Sequence, residues 1–389
     1  MKKKTKGGFG QWFGVAIYLL IGAACGLLIV RYIDLKAEAG ARFSGLLLSM
    51  AFLLVLMYAA MILQIIIHEA GHLVFGLLSG YRFSSFRIFS FMLAKEEGGL
   101  RLRRMNVAGT GGQCLMAPPD MVDGKIPVML YNFGGSLMNL IASALSAGLS
   151  LLFPAYTPVW LFLVFLAVIG AAFALINGLP LHMGPVNNDG RNALDLARDP
   201  VAVRAFWTQL KVTEEQARGV RLKEMPEAWF AVPSDAEMQN GITAAAGVSA
   251  CGRLMDEHRF AEADALMEHY LAQENAIVGL YRNLMVCDRM YVELIGDARP
   301  DVLESMRTKD QLKIMKSMQT FLSVIRTDYA YALLAERDTE KAASLRKKFE
   351  KAADSYPYPG EAAAERELIA IAEERAAQRQ QEAAAAESV

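Results

Sequence analysis

Four long apolar segments limit the folds that this chain can adopt. They lie at about residues 12–30, 45–78, 128–153 and 159–179. A helix of about 20 apolar residues crosses a bilayer, and in hydrocarbon the backbone satisfies its hydrogen bonds only in helices or closed barrels. We therefore predict that residues 1–195 form a mostly α-helical, multi-pass bundle with about four spans. The second segment would be about 50 Å long as a helix, so it must tilt, break or project from the membrane. Gly71 and Gly76 are candidate breaks, and Gly80 is a candidate C-cap.

The second apolar segment contains the sequence His68-Glu69-Ala70-Gly71-His72. Between Phe43 and Tyr81 no other His, Asp, Glu, Lys or Arg is present. Two histidines four residues apart share one face of a helix and can bind one zinc ion, and the glutamate can act as general base toward a water on that ion. Because polar groups in hydrocarbon are costly, their presence here predicts a functional site.

Two histidines leave a catalytic zinc site incomplete, because such sites use three protein ligands and one water. The third ligand must be another His, Asp or Glu. The best candidate region is the segment 177–190, Asn-Gly-Leu-Pro-Leu-His-Met-Gly-Pro-Val-Asn-Asn-Asp-Gly, which follows the fourth apolar segment. It offers His182 and Asp189.

At this point the chain resembles the site-2 protease family of intramembrane zinc metalloproteases. That family pairs the His-Glu-x-x-His motif with a later Asn-x-x-Pro…Asp-Gly motif. The matching residues are Asn177, Pro180, Asp189 and Gly190. Segment 134–139, Gly-Gly-Ser-Leu-Met-Asn, is similar to the glycine- and asparagine-containing segment between the family's two zinc motifs. The resemblance covers residues 45–195.

The resemblance implies that Asp189 is the third zinc ligand beside His68 and His72, and that Glu69 is catalytic. It also implies hydrolysis of peptide bonds in membrane-embedded or membrane-proximal substrates, in regulated intramembrane proteolysis or peptide maturation. The chain departs from the family in two ways. The path from Asn-x-x-Pro to the aspartate is longer, and Asn188 stands where leucine usually precedes the aspartate. His182 is therefore the rival third ligand.

Two asparagines are auxiliary candidates. Asn139 and Asn177 either orient the substrate or donate to the tetrahedral intermediate, or they form hydrogen bonds between packed helices.

Residues 82–107 are predicted to form a β-hairpin. A β-rich stretch runs from Phe83 to Leu93, a turn follows at residues 95–99, and residues 100–103 alternate leucine with arginine. A flexible loop is expected at 109–113. The resemblance implies a hairpin or re-entrant loop that lines the active site, where an edge strand can pair with an unwound substrate. The alternative is a solvated basic hairpin at the lipid headgroups.

Basic residues predict the orientation in the cell membrane. Four lysines precede the first apolar segment, and seven lysines and arginines lie between the second and third. The positive-inside rule then places the amino terminus, residues 81–127 and the carboxyl half in the cytoplasm.

The carboxyl half is predicted to be a cytoplasmic all-α domain over residues 196–372. Helix pairs near residues 251–263 and 332–349 weakly resemble tetratricopeptide repeats. The alternatives are a stacked-helix module that binds a protein partner and an unrelated helical bundle. Residues 373–389, rich in Ala, Gln and Glu, are predicted to be disordered. The net charge of −1 gives no indication of nucleic-acid binding.

These features together predict a zinc-dependent metalloendopeptidase that acts on a membrane protein or peptide within the lipid bilayer. One alternative is a catalytically inactive scaffold that acts through its helical C-terminal domain, although the intact Glu69 argues against it. Another is a membrane zincin of a different family, with a glutamate in a soluble domain as third ligand. The sequence lacks the GxxxxGK[ST] phosphate loop, which disfavours an ATP-driven protease.

Overall fold

The apolar segments of the first half form long helices. The computed structural model describes residues 9–96, 98–105, 110–181 and 187–387. Its first four helices are α1 (Phe9–Glu38), α2 (Phe43–Leu78), α3 (Met129–Ser150) and α4 (Pro158–Gly178). Within the described residues, these are the four helices long and apolar enough to cross a membrane. The prediction of about four apolar helices long enough to span a membrane is confirmed.

Helix α2 is continuous through Gly71 and Gly76 and ends where the sequence predicted. Gly80 has a positive φ of 83°. The amide of Gly80 donates to the carbonyl of Leu77 at 3.1 Å, and the amide of Tyr81 donates to the carbonyl of Gly76 at 3.0 Å. These bonds form a Schellman motif, in which a left-handed glycine closes the helix. The predicted C-cap is confirmed, whereas neither candidate glycine breaks the helix.

Helices α2 and α3 cross at a pair of glycines. A Cβ atom added at Gly71 would lie 2.7 Å from the Cβ of Met138 and would overlap the carbonyl of Gly134. A Cβ atom added at Gly134 would lie 3.0 Å from the Cβ of Phe75. Small residues let helix backbones approach closely in a membrane. This crossing brings the histidine-bearing turn of α2 against α3.

The chain divides into two units. The first comprises the residues up to Ile88 together with Gly111–Val203, and the second comprises Phe89–Thr110 together with Arg204–Val389. The division falls after Val203 rather than after residue 195. Helix α5 (Asp189–Arg198) belongs to the first unit, and α6 (Pro200–Ala217) begins just before the division.

The β-structure is more extensive than the predicted hairpin. Strands β1 (Arg82–Ile88), β2 (Phe91–Glu96), β3 (Gly99–Arg104) and β4 (Gly112–Ala117) are present. In the first unit β1 pairs antiparallel with β4, from Arg82 opposite Ala117 to Ile88 opposite Gly112, with an irregularity between Phe83 and Ser85. In the second unit β2 and β3 form a hairpin in which Phe91 lies opposite Arg104.

Two expectations for this region were wrong in detail. The stretch from Phe83 to Leu93 is two strands rather than one, because Phe89 adopts a positive φ of 52° and turns the chain. The expected loop at 109–113 already contains the start of β4 at Gly112, and Gly109 lies outside the described residues.

The second unit is helical, as the sequence predicted for the carboxyl half. After α6, its α-helices are α7 (Gly241–Asp256), α8 (Phe260–Ala272), α9 (Gly279–Ile295), α10 (Pro300–Met306), α11 (Lys309–Ser317), α12 (Leu322–Tyr331), α13 (Thr339–Asp354) and α14 (Pro359–Glu387). Its core includes fully buried Met267, Tyr291, Phe349 and Ile369. Residues 373–387, expected to be disordered, continue α14 as a helix.

The glycine crossing of α2 and α3 gives a stability prediction. Gly71→Ala should lower the stability of the detergent-solubilised chain by about 1–3 kcal/mol, as overpacking does, measured by thermal unfolding. Gly45→Ala on the same helix is the matched control, since its Cβ would lie 4.0 Å from the nearest atom, the Cβ of Ala41. Equal unfolding temperatures for the two variants would contradict the close approach.

Candidate metal centre

The two histidines of α2 are buried and oriented by hydrogen bonds at their Nδ1 atoms. His68 and His72 are each 9% exposed. The Nδ1 atom of His68 lies 2.7 Å from Oδ1 of Asn139, and Nδ1 of His72 lies 2.8 Å from the carbonyl oxygen of Tyr131. Both partners are acceptors, so each Nδ1 carries the ring proton and donates it. Each Nε2 therefore presents a lone pair, the form in which imidazole binds a metal.

A buried polar chain fixes the partner of His68. The side-chain amide of Asn139 donates from Nδ2 to the carbonyl of Gln64 at 2.9 Å and to Oε1 of Gln64 at 2.7 Å. Gln64 in turn donates from Nε2 to the carbonyl of Leu166 on α4 at 2.8 Å. Asn139 and Gln64 are both fully buried. The chain joins α2, α3 and α4 and turns Oδ1 of Asn139 toward His68.

Asp189 reaches the histidines because it is the first residue of α5. Asn188 caps that helix, with Oδ1 accepting from the amide of Arg191 at 2.9 Å. Its Nδ2 donates to the carbonyls of Ile176 and Leu179 at the end of α4. Asn188 therefore fastens the start of α5 to the end of α4.

Three candidate ligand atoms converge. Oδ2 of Asp189 lies 3.1 Å from Nε2 of His68 and 3.4 Å from Nε2 of His72, and the two Nε2 atoms are 3.2 Å apart. Among the described residues, this is the group of three His, Cys, Asp or Glu side chains that could hold a metal ion. Ligands at about 2.0–2.1 Å in a tetrahedral zinc site are about 3.3 Å from one another. The spacing of the three atoms fits such a site.

The electrostatics of the cluster also fit a cation. With both ring protons on Nδ1, no proton lies among the three converging atoms, and Oδ2 of Asp189 is buried without a hydrogen-bond donor in the described part of the chain. The alternative is a second proton on one imidazole, paired with the carboxylate. Burial by itself would raise the pKa of Asp189, and positive charge at the histidines lowers it. With neutral imidazoles, a cation among the three atoms would supply that charge and keep the carboxylate ionised, as a metal ligand must be.

Glu69 is buried beside the backbone of β4. It is 8% exposed. A Cβ atom added at Gly112 would lie 2.6 Å from both Cγ and Oε1 of Glu69, so only glycine fits where the strand passes this carboxylate. Arg87, which is 1% exposed on β1, donates to the carbonyl of Gly112 at 3.3 Å. The carboxylate therefore lies between the histidine helix and the β1–β4 pair.

The other residues predicted from the sequence differ in their relation to the three candidate ligands. Asn139 forms hydrogen bonds to both Gln64 and His68 of helix α2, so it joins two packed helices and also orients a candidate ligand. The amide of Asn177 donates to the carbonyl of Phe173 in its own helix at 3.1 Å, and in the described part of the chain it has no polar contact with the three ligands. His182 lies outside the described residues.

Two contributors to the centre were missed in the sequence. Gln64 gave a usable signal, because it lies one turn before His68 and is an uncharged polar residue in an apolar run. Tyr131 gave no such signal, because it binds His72 through its backbone carbonyl.

Comparison of the whole chain with protein-family models, curated proteins and solved structures finds no match.

The converging atoms predict which residue completes the site. Asp189→Ala should remove most of the bound zinc from the purified chain, whereas His182→Ala should leave it near one ion per chain, as measured by elemental analysis. The reverse result would reassign the third ligand to His182.

The buried polar chain predicts an effect one step away from the ligands. Asn139→Ala should weaken zinc binding by about 10–100-fold, as loss of a group that orients a histidine ligand does, measured by competition with a chelator. Asn177→Ala is the matched control and should bind as the wild type does. A zinc affinity unchanged by Asn139→Ala would show that the hydrogen bond to His68 is dispensable.

Proposed function

We propose that this chain is an intramembrane zinc endopeptidase, which cleaves peptide bonds of membrane-embedded or membrane-proximal substrates. The supporting observation is the convergence of His68, His72 and Asp189 next to a buried Glu69, on a helix apolar enough to cross a membrane. The resemblance of these motifs to the site-2 protease family points to the same reaction.

The residues have distinct roles in the proposed reaction. When bound, zinc supplies a Lewis acid that activates water and polarises a carbonyl group. His68, His72 and Asp189 would hold the ion through Nε2, Nε2 and Oδ2. Glu69 takes a proton from the attacking water and later delivers it to the leaving amine. The side chain of Asn139 and the carbonyl of Tyr131 keep both imidazoles in the tautomer that the site needs.

Strand β4 is the proposed docking edge for the substrate. A transmembrane helix hides its peptide bonds in its own hydrogen bonds, so the substrate must be extended before it can be cut. Strand β4 passes Glu69 at Gly112, and among the described strands it pairs with β1 alone. An extended substrate added to this strand would be held by main-chain hydrogen bonds next to the catalytic carboxylate.

The distribution of basic residues supports a location in the cell membrane. The amino terminus, residues 81–127 and the helical C-terminal unit are proposed to face the cytoplasm. The carboxyl end of α2 then faces the cytoplasm, and the candidate metal centre lies near that end because His72 is in the last two turns of the helix. Water and substrate are therefore proposed to enter from the cytoplasmic side.

The test is cleavage by the wild type and by Glu69→Gln, each co-expressed with candidate single-span membrane proteins. The variant keeps all three proposed ligands, so it should bind zinc normally while the cleavage rate falls by about 10²–10⁴-fold, the contribution of a general base. Glu38→Gln, at the exposed end of α1, is the control for a lost carboxylate and should cleave normally.

A substrate that accumulates uncut only with Glu69→Gln would identify the target. If the wild type and Glu69→Gln cleave every processed protein equally, the enzymatic proposal is refuted, and the membrane scaffold is the remaining alternative.

A further inference from the structure

The helical second unit contains an open cavity that has no part in the proposed proteolysis. Its volume is about 210 Å³, and it lies among α7, α9, α12 and α14. Apolar side chains, including Met255, Met285 and Leu368, form part of its wall. The charged groups that line it are Asp256, Asp288, Arg326, Glu361 and Glu365.

Once the glutamates of the cavity are ionised, its positive charge is short of its negative charge. Asp256 is neutralised by an ion pair with Arg221. Arg326 is fully buried, donates to both Asp288 and Glu365, and lies 4.4 Å from the centre of the Tyr291 ring. One guanidinium therefore serves two carboxylates, and the carboxylate of Glu361 lines the same space.

One carboxylate oxygen in this cavity lacks a partner. Glu365 is 7% exposed, and its Oε1 accepts from Arg326 at 3.2 Å. Its Oε2 is buried and has no hydrogen-bond partner among the described residues. Glu361 accepts one hydrogen bond, from the hydroxyl of Tyr356 at 2.9 Å. A buried, unpaired carboxylate oxygen is costly, so a donor that entered the cavity would be strongly favoured.

We propose that this cavity binds a primary ammonium group on an aliphatic stem, supplied by a lysine side chain of a protein partner or by a free alkylamine. An ammonium group has three donors, which match Glu365, Glu361 and Asp288. The apolar wall suits a methylene stem, which lysine commonly buries along apolar surface. At about 30 Å³ for each water-sized group, the five heavy atoms of a lysine side chain fit the volume.

The cavity is open to such a ligand. Tyr281 on its rim is 38% exposed, and Gln216 and Ser323 are partly exposed. All of the residues involved belong to the second unit, so this inference does not depend on the proposed protease function.

Binding is tested by calorimetry on the full-length chain in detergent. The probes are pentylammonium and the peptide acetyl-Gly-Gly-Lys-Gly-Gly-amide, and the controls are 1-pentanol and the same peptide with norleucine in place of lysine. Saturable binding of either cation, with no binding of its neutral control, is expected. Binding of the lysine peptide alone assigns a protein partner, and binding of pentylammonium alone assigns a free amine. Absence of binding by both cations would overturn the proposal.

Substitutions locate the site. At pH 8.5, Glu365→Gln should weaken binding of the cation by about tenfold or more, because it replaces a charged acceptor with a neutral one. Glu382→Gln, at an exposed position of the same helix, is the matched control and should leave binding unchanged. If Glu365→Gln does not unfold cooperatively, Glu361→Gln decides by the same measure. If the folded Glu365→Gln and Glu361→Gln variants bind the cation as tightly as the wild type does, the cation binds elsewhere and the proposed site is refuted.

The pH dependence of binding gives a second readout. Burial raises the pKa of Glu361 to about 7 and that of Glu365 to about 8. An alkylammonium group, with a pKa of about 10.4, stays charged up to pH 9. The groups that face the two glutamates are Asp256 and Cys251 on α7, Asp288 and Tyr281 on α9, Arg326 on α12, and Tyr356, whose hydroxyl donates to Glu361.

Cys251, Tyr281 and Tyr356 stay neutral because loss of hydration raises the pKa of each above its usual value. The two glutamates are therefore the groups that lose protons between pH 6 and pH 8.5, and binding should tighten over this interval. Binding that is constant or weaker at the higher pH would contradict contact with these carboxylates.

Discussion

The first unit depends on bringing three lone-pair atoms together inside apolar surroundings. Nε2 of His68, Nε2 of His72 and Oδ2 of Asp189 lie 3.1–3.4 Å apart. Both ring protons are held on the opposite side of the imidazoles, so the three atoms repel one another unless a positive charge lies among them. A divalent cation removes this repulsion and offsets the cost of burying a carboxylate. The helices around the cluster are arranged to maintain this convergence.

Close packing and capping achieve the convergence from distant parts of the chain. Gly71 and Gly134 let α2 and α3 approach until the carbonyl of Tyr131 and the side chain of Asn139 reach the histidines. Asn188 uses its side chain both to start α5 and to bind the end of α4. Asp189 therefore owes its position to the residue before it.

The predictable features were those set by local periodicity. The four apolar helices follow from run length, the shared face of His68 and His72 follows from the helical repeat, and the end of α2 follows from a glycine that tolerates a positive φ. Strand β4 and the turn at Phe89 were not predicted, because strand pairing depends on partners distant in the sequence and the positive φ of Phe89 is unusual for a bulky residue. The positioning role of Gln64 also required the fold, since a lone glutamine does not reveal which carbonyl it will reach.

The second unit contains a different charge imbalance, because Arg326 neutralises only part of the negative charge of the buried carboxylates around it. Both units place carboxylate oxygens where a cation is favoured, but with different chemistry. Imidazole and carboxylate at tetrahedral spacing suit a metal ion. Carboxylates beside an apolar wall suit an ammonium group on a stem.

We infer that a metal ion occupies the cluster of His68, His72 and Asp189. X-ray absorption at the zinc edge of the purified wild-type chain is the decisive measurement. We expect one zinc per chain, with nitrogen and oxygen ligands at about 2.0–2.1 Å and no sulfur. A chain free of zinc and of every other transition metal, or a shell containing sulfur at about 2.3 Å, would contradict it.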